Sequence, residues 1–258
     1  MFPENIPVVF TSTYERVELL PVHDLHYGNE CFDTHKWNQV LNWLRQDKSH
    51  LVVFIGDLMQ FATPNSKGNP MTSLYTPLEQ RQFCEGVFKE FADQIVCVTD
   101  GNHEQRSVRS TGLYPLYDAC CIARIEEKYR SAYAGIILRI GSGKDRHKED
   151  PQLYYIFATH KAKTLKNFAS CDALEGFDVF LYGHDHEPLD HPRAKLCIDT
   201  RRKTICRKNI ENINCGSFLN YGGYAAHAGY RPKSDKMYKI VMYGGENKHI
   251  ETIGFYFD

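Results

Sequence analysis

Apolar residues fall into short continuous runs along this chain, and several of those runs stop at a polar cluster. Residues 17–22 form a strand candidate that runs straight into His23-Asp24-Leu25-His26. Residues 51–55 are unbroken and apolar, as expected of a strand buried on both faces, and end at Gly56-Asp57. Residues 95–99 deliver Asp100-Gly101-Asn102-His103-Glu104, residues 153–159 end at His160, and the run from Phe177 leads into Tyr182-Gly183-His184-Asp185-His186. Helical patterns lie between them. Trp37, Val40, Leu41 and Leu44 share the i, i+3, i+4, i+7 spacing of one helix face. Thr76-Pro77-Leu78-Glu79 reads as a capping box with proline at the first helical position, ahead of a stripe of Leu78, Val87, Phe88 and Phe91. A third helix is expected around residues 116–129, and residues 61–75, with Pro64, Gly68 and Pro70, read as a long loop.

The later part of the chain reads mostly as strand: residues 133–140, 195–198, 204–207, 213–219, 238–243 and 250–257, with a hairpin turn at 244–248. Alternating strand and helix followed by strands predicts a single α/β domain over residues 1–258, with two packed sheets and helices outside. The polar clusters occupy residues 17–217, and 218–258 supply a closing loop and strands.

Composition narrows the class. A chain of 258 residues with 42% hydrophobic content can bury a sizeable core. Its net charge of −1 gives no global basic field of the kind many nucleic-acid binders carry. Nine cysteines, an odd number without a Cys-x-x-Cys pair, suit reduced thiols better than a disulfide framework or a zinc ribbon. No apolar run approaches membrane-spanning length, and the first residues lack a secretion signal, so a soluble cytoplasmic protein without a membrane partner is expected.

The polar clusters supply the candidate chemistry. In open α/β sheets, sites form beyond the carboxyl ends of strands, so Asp24/His26, Asp57, Asn102/His103, His160 and His184/His186 can converge. Their oxygen and imidazole donors are those that divalent first-row metals accept. His184 and His186 flank one residue and point to the same side in an extended chain, and Gly183 permits a close backbone approach. Taken singly, each cluster has a plainer reading: Asp57 as a turn or helix-cap residue, His160 as a structural histidine at a strand end. Taken together, always after a strand, they favour a metal site.

Asp24-Leu25-His26, Gly56-Asp57, Gly101-Asn102-His103-Glu104, His160, Gly183-His184-Asp185-His186 and Asn214-Cys215-Gly216-Ser217 resemble, in that order, the motifs of the calcineurin-like metallophosphoesterase superfamily. The resemblance implies a four-layer αββα sandwich of two mainly mixed sheets flanked by helices, with a two-metal site between the sheet edges. It implies one divalent cation on Asp24, His26, Asp57 and His186, and a second on Asp57, Asn102, His160 and His184. Asp57 would bridge, and His103 would stand beside the site as general acid while the cations activate a water for in-line attack on a phosphoester. Manganese is the first candidate metal, with iron, zinc, cobalt or nickel as alternatives. His23 and Asp185 would support the ligands. Two positions depart from the pattern: Gln60 stands where many relatives have an acid, and Thr159 where many have glycine. The second makes His147 a rival to His160.

Local residues lean the expected substrate toward a phosphodiester in DNA, RNA or a nucleotide. Gly-Asn-His-Glu followed by Gln105, Arg106 and Arg109 resembles exonuclease-like and phage-type members, with Arg106 and Arg109 as candidate phosphate contacts. Lys161, Lys163 and Lys166, and then Arg193, Lys195, Arg201, Arg202, Lys203, Arg207 and Lys208, suggest a basic rim. Tyr221, Tyr224, His227 and Tyr230 lie in a Gly-rich loop and are candidate base-stacking groups. Phosphomonoesterase activity is the alternative, and a non-catalytic scaffold of the same fold the remote one. Oligomeric state is left open.

Overall fold

The computed structural model describes residues 4–63, 70–141, 151–161, 175–199, 203–245 and 248–257. In chain order the strands are β1 (Val8–Ser12), β2 (Arg16–Val22), β3 (His50–Ile55), β4 (Ile95–Thr99), β5 (Tyr129–Arg130), β6 (Tyr133–Ile140), β7 (Gln152–Lys161), β8 (Val179–Gly183), β9 (Leu189–Asp190), β10 (Arg193–Asp199), β11 (Thr204–Asn214), β12 (Met237–Tyr243) and β13 (Ile250–Phe255). The described helices are α1 (Thr34–Gln46), α2 (Pro77–Glu90), α3 (Glu104–Thr111), α4 (Pro115–Ala123) and the short α5 (Gly223–His227).

These elements make a mixed α/β fold with two mixed sheets. One has the order β13-β12-β2-β3-β4-β5; the other runs β1-β6-β7-β8-β11-β10, with β9 pairing to β11. Strands β2, β3, β4 and β5 are parallel, so the residues after β2, β3 and β4 emerge at one edge of their sheet. Strands β7 and β8 are parallel in the other sheet and deliver His160 and His184 together. β3 and β4 contact β6, β7 and β8, so the two sheets pack face to face. Ile55, Val96, Ile156, Ala158, Val179 and Leu181 are buried there. α1, α2 and α4 lie with the six-stranded sheet: α1 touches β3, Phe88 of α2 lies 5.4 Å from Phe54, and α4 contacts both α2 and β5. Because β12 pairs antiparallel with β2, the closing strands belong to the same sheet as the first polar cluster.

Local sequence explains most element starts. The Asp33 side chain accepts from Lys36 N at 2.9 Å to cap α1, whose buried residues include Trp37, Val40 and Leu44. The capping box of α2 forms as expected, with Glu79 N donating to Thr76 Oγ1 at 3.3 Å and Thr76 N to Glu79 Oε2 at 2.8 Å. Its buried stripe differs from the expected one. Leu78 is exposed, and Gln80 is buried in its place, donating to Ser73 Oγ and Tyr75 O and accepting from Phe61 N. A buried amide with backbone partners on both sides can sit where periodicity alone asks for an apolar residue.

Other elements also depart from expectation. α4 stops at Ala123 because Arg124 adopts a left-handed conformation (φ 60°), and Tyr129 belongs to β5. The expected strands at 204–207 and 213–219 are one strand, β11, which ends at Asn214 before Gly216 turns at φ 75°. β1 and α3 lack a legible pattern: β1 buries only Val8 and Ser12, and α3 buries only Glu104. Pro64, Gly68, His147, Lys163, Lys166, Arg201 and Arg202 lie outside the described residues. Among the described residues no helix is long and apolar enough to cross a membrane.

Candidate metal centre

The side chains that follow β2, β3, β4 and β8, and His160 near the end of β7, meet where the edges of the two sheets come together. Asp24, His26, Asp57 and His160 are buried, while Asn102, His103, His184 and His186 are half-buried. Three groups among them could hold a metal ion: Asp24 with His26 and His186; Asp57 with His160 and His184; and His26 with Asp57 and His103. His184 and His186 therefore fall into different groups although one residue separates them.

Backbone conformation aims these side chains. Asp24, His26, Asp57, His184 and His186 all have positive φ, between 50° and 77°. A strand that ended in ordinary extended geometry would send alternate side chains to opposite faces; a left-handed residue turns the chain and swings the side chain off the strand axis. His160 is aimed differently, at a register shift between Thr159 and Lys161 where β7 pairs with β8. Gly183 does not itself turn the chain at positive φ. It lets β8 pass close, since a Cβ there would lie 2.7 Å from His23 Cγ.

Each carboxylate has one oxygen fixed by the protein and one turned to the centre. Asp24 Oδ2 accepts from His23 Nδ1 at 2.8 Å and His184 N at 2.7 Å. Cys215 N donates to His23 Nε2 at 3.1 Å, which sets the tautomer and leaves the proton on Nδ1. This is the role of the Asn214–Ser217 stretch at the site: it braces His23, and Phe218 N also donates to Asp24 O. Asp24 Oδ1 faces His186 Nε2 at 3.2 Å, His26 Nε2 at 3.5 Å and His160 Nε2 at 3.8 Å. Asp57 Oδ1 accepts from His103 N at 2.8 Å, while Oδ2 faces His160 Nε2 at 3.1 Å.

Glu104 organises the loops beneath. It is fully buried, and its carboxylate accepts from Asp57 N at 2.9 Å, Met59 N at 3.0 Å and Gly101 N at 2.8 Å. That ties the end of β3 to the end of β4. The sequence pattern placed Glu104 in a motif without this role; the available signal was an acid at the start of a helix directly after a buried strand.

Protonation follows from the crowding of charge. Burial works against ionised Asp57, but His160 and His103 outweigh it and hold the carboxyl below its usual range. Burial likewise opposes ionised Asp24, and His186 and His160 bring it well down. Burial would lower His160, yet Asp57 and Asp24 raise it to about 10. His103 goes the other way: burial and then His26 take it down to about 3. Its Nδ1 donates to Gln60 O at 2.6 Å, and Arg106 Nη2 donates to its Nε2 at 2.8 Å. The imidazole is therefore neutral here, and the positive charge beside it belongs to Arg106.

The donor set fits a metal. Asp24 Oδ1, Asn102 Oδ1 and His160 Nε2 are buried without a hydrogen-bond partner among the described residues. His26 Nε2 and His186 Nε2 approach to 3.3 Å beside Asp24 Oδ1. In the metal-free protein the carboxylates hold protons on the facing imidazoles, as the raised pKa of His160 shows; a cation among these atoms would take the place of those protons and use the same lone pairs. The expected phosphate contacts are placed differently from one another. Arg106 donates to Gln60 O, Phe61 O and His103, and Arg109 is exposed in the last turn of α3. Tyr221, Tyr224 and Tyr230 are exposed, Tyr224 in the short α5 and the other two on either side of it; this segment is joined to Cys31 and Phe32 through Asn220 N donating to Cys31 O and the pairing of Phe32 with Leu219. Asp185 is exposed. Neither the models of known protein families nor the curated protein sequences yield a match to this chain.

Proposed function

We propose that the chain is a calcineurin-like metallophosphoesterase, a hydrolase that uses two divalent cations to cleave a phosphodiester in a nucleic acid or nucleotide. The observation that carries this reading is the cluster of buried, unpartnered donor atoms on Asp24, Asn102 and His160, beside histidines already grouped around two carboxylates. Asp24, His26, Asp57 and His186 would hold one cation, and Asp57, Asn102, His160 and His184 the other. When bound, the cations supply charge neutralisation at the phosphate and make water nucleophilic near neutral pH. Manganese suits mixed oxygen and imidazole donors, as do iron, cobalt, nickel and zinc. The same reading expects helices over the outer face of the seven-stranded sheet, completing a four-layer αββα sandwich.

The chain's own residues orient the reaction. His23 and Glu104 hold the two carboxylate-bearing turns so that one oxygen of each stays available. His103 and Arg106 form a joint edge: the guanidinium carries the positive charge in the metal-free protein, and beside an anionic phosphate His103 Nε2 would take up a proton from solvent and pass it to the departing oxygen. The preference for a diester rests on the exposed tyrosines of the segment that pairs with Cys31 and Phe32 and on exposed Lys161 next to His160.

The test is hydrolysis of bis-p-nitrophenyl phosphate against p-nitrophenyl phosphate with Mn²⁺, followed by DNA, RNA, cyclic-nucleotide and phosphoprotein substrates. Diester preference is expected. Preference for the monoester would favour a phosphatase, and no turnover with metal bound would leave a non-catalytic scaffold. His103→Asn should lower turnover about 100-fold or more while metal content stays near normal. Loss of metal in that variant would make His103 a ligand, through its group with His26 and Asp57.

A further inference from the structure

Strands β10 and β11 leave the seven-stranded sheet as a two-stranded ribbon. β8 pairs with β11 only over Glu211–Ile213, whereas β10 pairs with β11 from Arg193↔Ile210 out to Asp199↔Thr204. One face of the ribbon is open to solvent, with Leu196 at 78%, Ile198 at 74% and Ile205 at 74% exposure. A ribbon of two strands without a packed face is marginal in water. On the other face Cys197 and Cys206 stand directly opposite each other, both half-buried, with their sulfurs 3.2 Å apart.

We propose that Cys197 and Cys206 are a reversible dithiol–disulfide couple that exchanges with glutathione disulfide and locks this ribbon when oxidised. Directly opposed residues of an antiparallel pair have Cα atoms about 4.5–5.5 Å apart, inside the range of about 4.4–6.8 Å that a disulfide spans. No backbone rearrangement is needed. The thiolate of one cysteine attacks a sulfur of the oxidant and releases one glutathione thiol; the second thiolate then displaces the other glutathione. The protein loses two electrons and two protons, and the oxidant becomes two glutathione thiols. The next pair inward on the same face is Lys195 and Lys208, and Lys208 Nζ lies 3.0 Å from Asp178 Oδ1. The buried cysteines are poor competitors. Cys84, Cys97, Cys120 and Cys215 sit in the core, and burial pushes their thiols up, away from the reactive thiolate. The inference is independent of the proposed hydrolysis.

The experiment is to equilibrate the full-length reduced protein with glutathione buffers of increasing oxidised fraction, trap with an alkylating agent and map peptides by mass. The expected first cross-link is Cys197–Cys206, lighter by two hydrogens, forming at least tenfold faster than modification of any buried thiol. Tryptic cleavage within residues 193–208 should slow several-fold on oxidation and recover with dithiothreitol. Cys197→Ser and Cys206→Ser should each leave the remaining partner as a stable glutathione adduct. The wild-type measurement stands without those variants should either fail to fold. A persistent glutathione adduct on wild-type Cys197 or Cys206, another cross-link forming first, or unchanged ribbon cleavage after oxidation would overturn the proposal.

Discussion

Glu104 is the sharpest place to test how the centre is held. Its carboxylate is fully buried and receives three backbone N–H groups, two on Oε2 from Asp57 and Gly101 and one on Oε1 from Met59. Glu104→Ala strands all three donors, at about 1–3 kcal/mol each. One effect opposes this. Burial, followed by the neighbouring Asp57, raises the carboxyl to about 7, so deleting it also removes a poorly solvated acid; that relief is worth about 3 kcal/mol. At about 2 kcal/mol for each donor, the middle of that range, the expected net loss is about 3 kcal/mol. Glu104→Gln keeps one acceptor oxygen, which can serve Asp57 and Gly101, but turns an NH₂ toward Met59 N. It should cost about half as much.

Urea unfolding of the metal-free protein measures both variants, with the slope m as the check that the same surface unfolds. The variants should also bind Mn²⁺ more weakly than the parent, because the Asp57 turn loses its brace. An alanine variant within 1 kcal/mol of the parent at unchanged m, or a glutamine variant as costly as alanine, would refute the bracing argument.

Three further outcomes follow from the same geometry. Mn²⁺ at about 100 times its Kd should stabilise the parent by about 2.7 kcal/mol, a rise in Tm of about 5–10 °C for a chain of this size; Asp57→Asn should lose most of it, and no shift with Mn²⁺, Co²⁺ or Zn²⁺ would remove the metal centre. At His186, where φ is 54°, glycine should leave the metal-free protein about 1 kcal/mol more stable than alanine does, measured by urea unfolding of the pair; equal stabilities would mean that the turn carries no strain. Glu18 is buried, which disfavours its charge, but Lys239 Nζ at 2.6 Å and Arg16 Nη2 at 2.5 Å outweigh burial and lower its pKa from 4.5. Its contribution is therefore present above pH 4.5 and lost as pH falls through the lowered folded value, so Glu18→Gln should flatten the acid limb of stability below pH 4.5; an unchanged limb would count against the pairing.

The centre was legible in sequence because each ligand candidate follows a run of apolar residues, and parallel strands must release their carboxyl ends at one edge. Asp57 after residues 51–55 and Asn102 after residues 95–99 needed no more than that. What was illegible depended on partners distant in sequence. Gln80 occupies a core position because Phe61 N and Tyr75 O surround it. Arg106 looked like a phosphate contact, yet it donates to Gln60 O and His103, which only the fold brings beside it. β1 hid because a strand buried on one face over five residues has too little pattern to separate from a loop. α3 hid because its polar residues carry no apolar stripe, and its one buried side chain is an acid.

The backbone of the centre ties these observations together. Non-glycine residues at positive φ cost roughly 1–2 kcal/mol each, and Asp, Asn and His are among the side chains that enter this region most often. Five of the eight such residues among those described are Asp24, His26, Asp57, His184 and His186. Concentrated at one place, that strain must be held by the surroundings, and the holders are visible: Gly56 O accepts from Asp24 N, Asp57 O from His26 N, Glu104 from Asp57 N, and Asp24 Oδ2 from His184 N. Each strained turn is thus pinned by a hydrogen bond to another turn of the same cluster, apart from His186, which is half-exposed and faces Asp24 through its ring. The centre therefore behaves as one unit. Loosening Asp24 or Asp57 should disturb both donor groups at once, whereas His186 is the position where a single candidate ligand can be changed with least effect on the others.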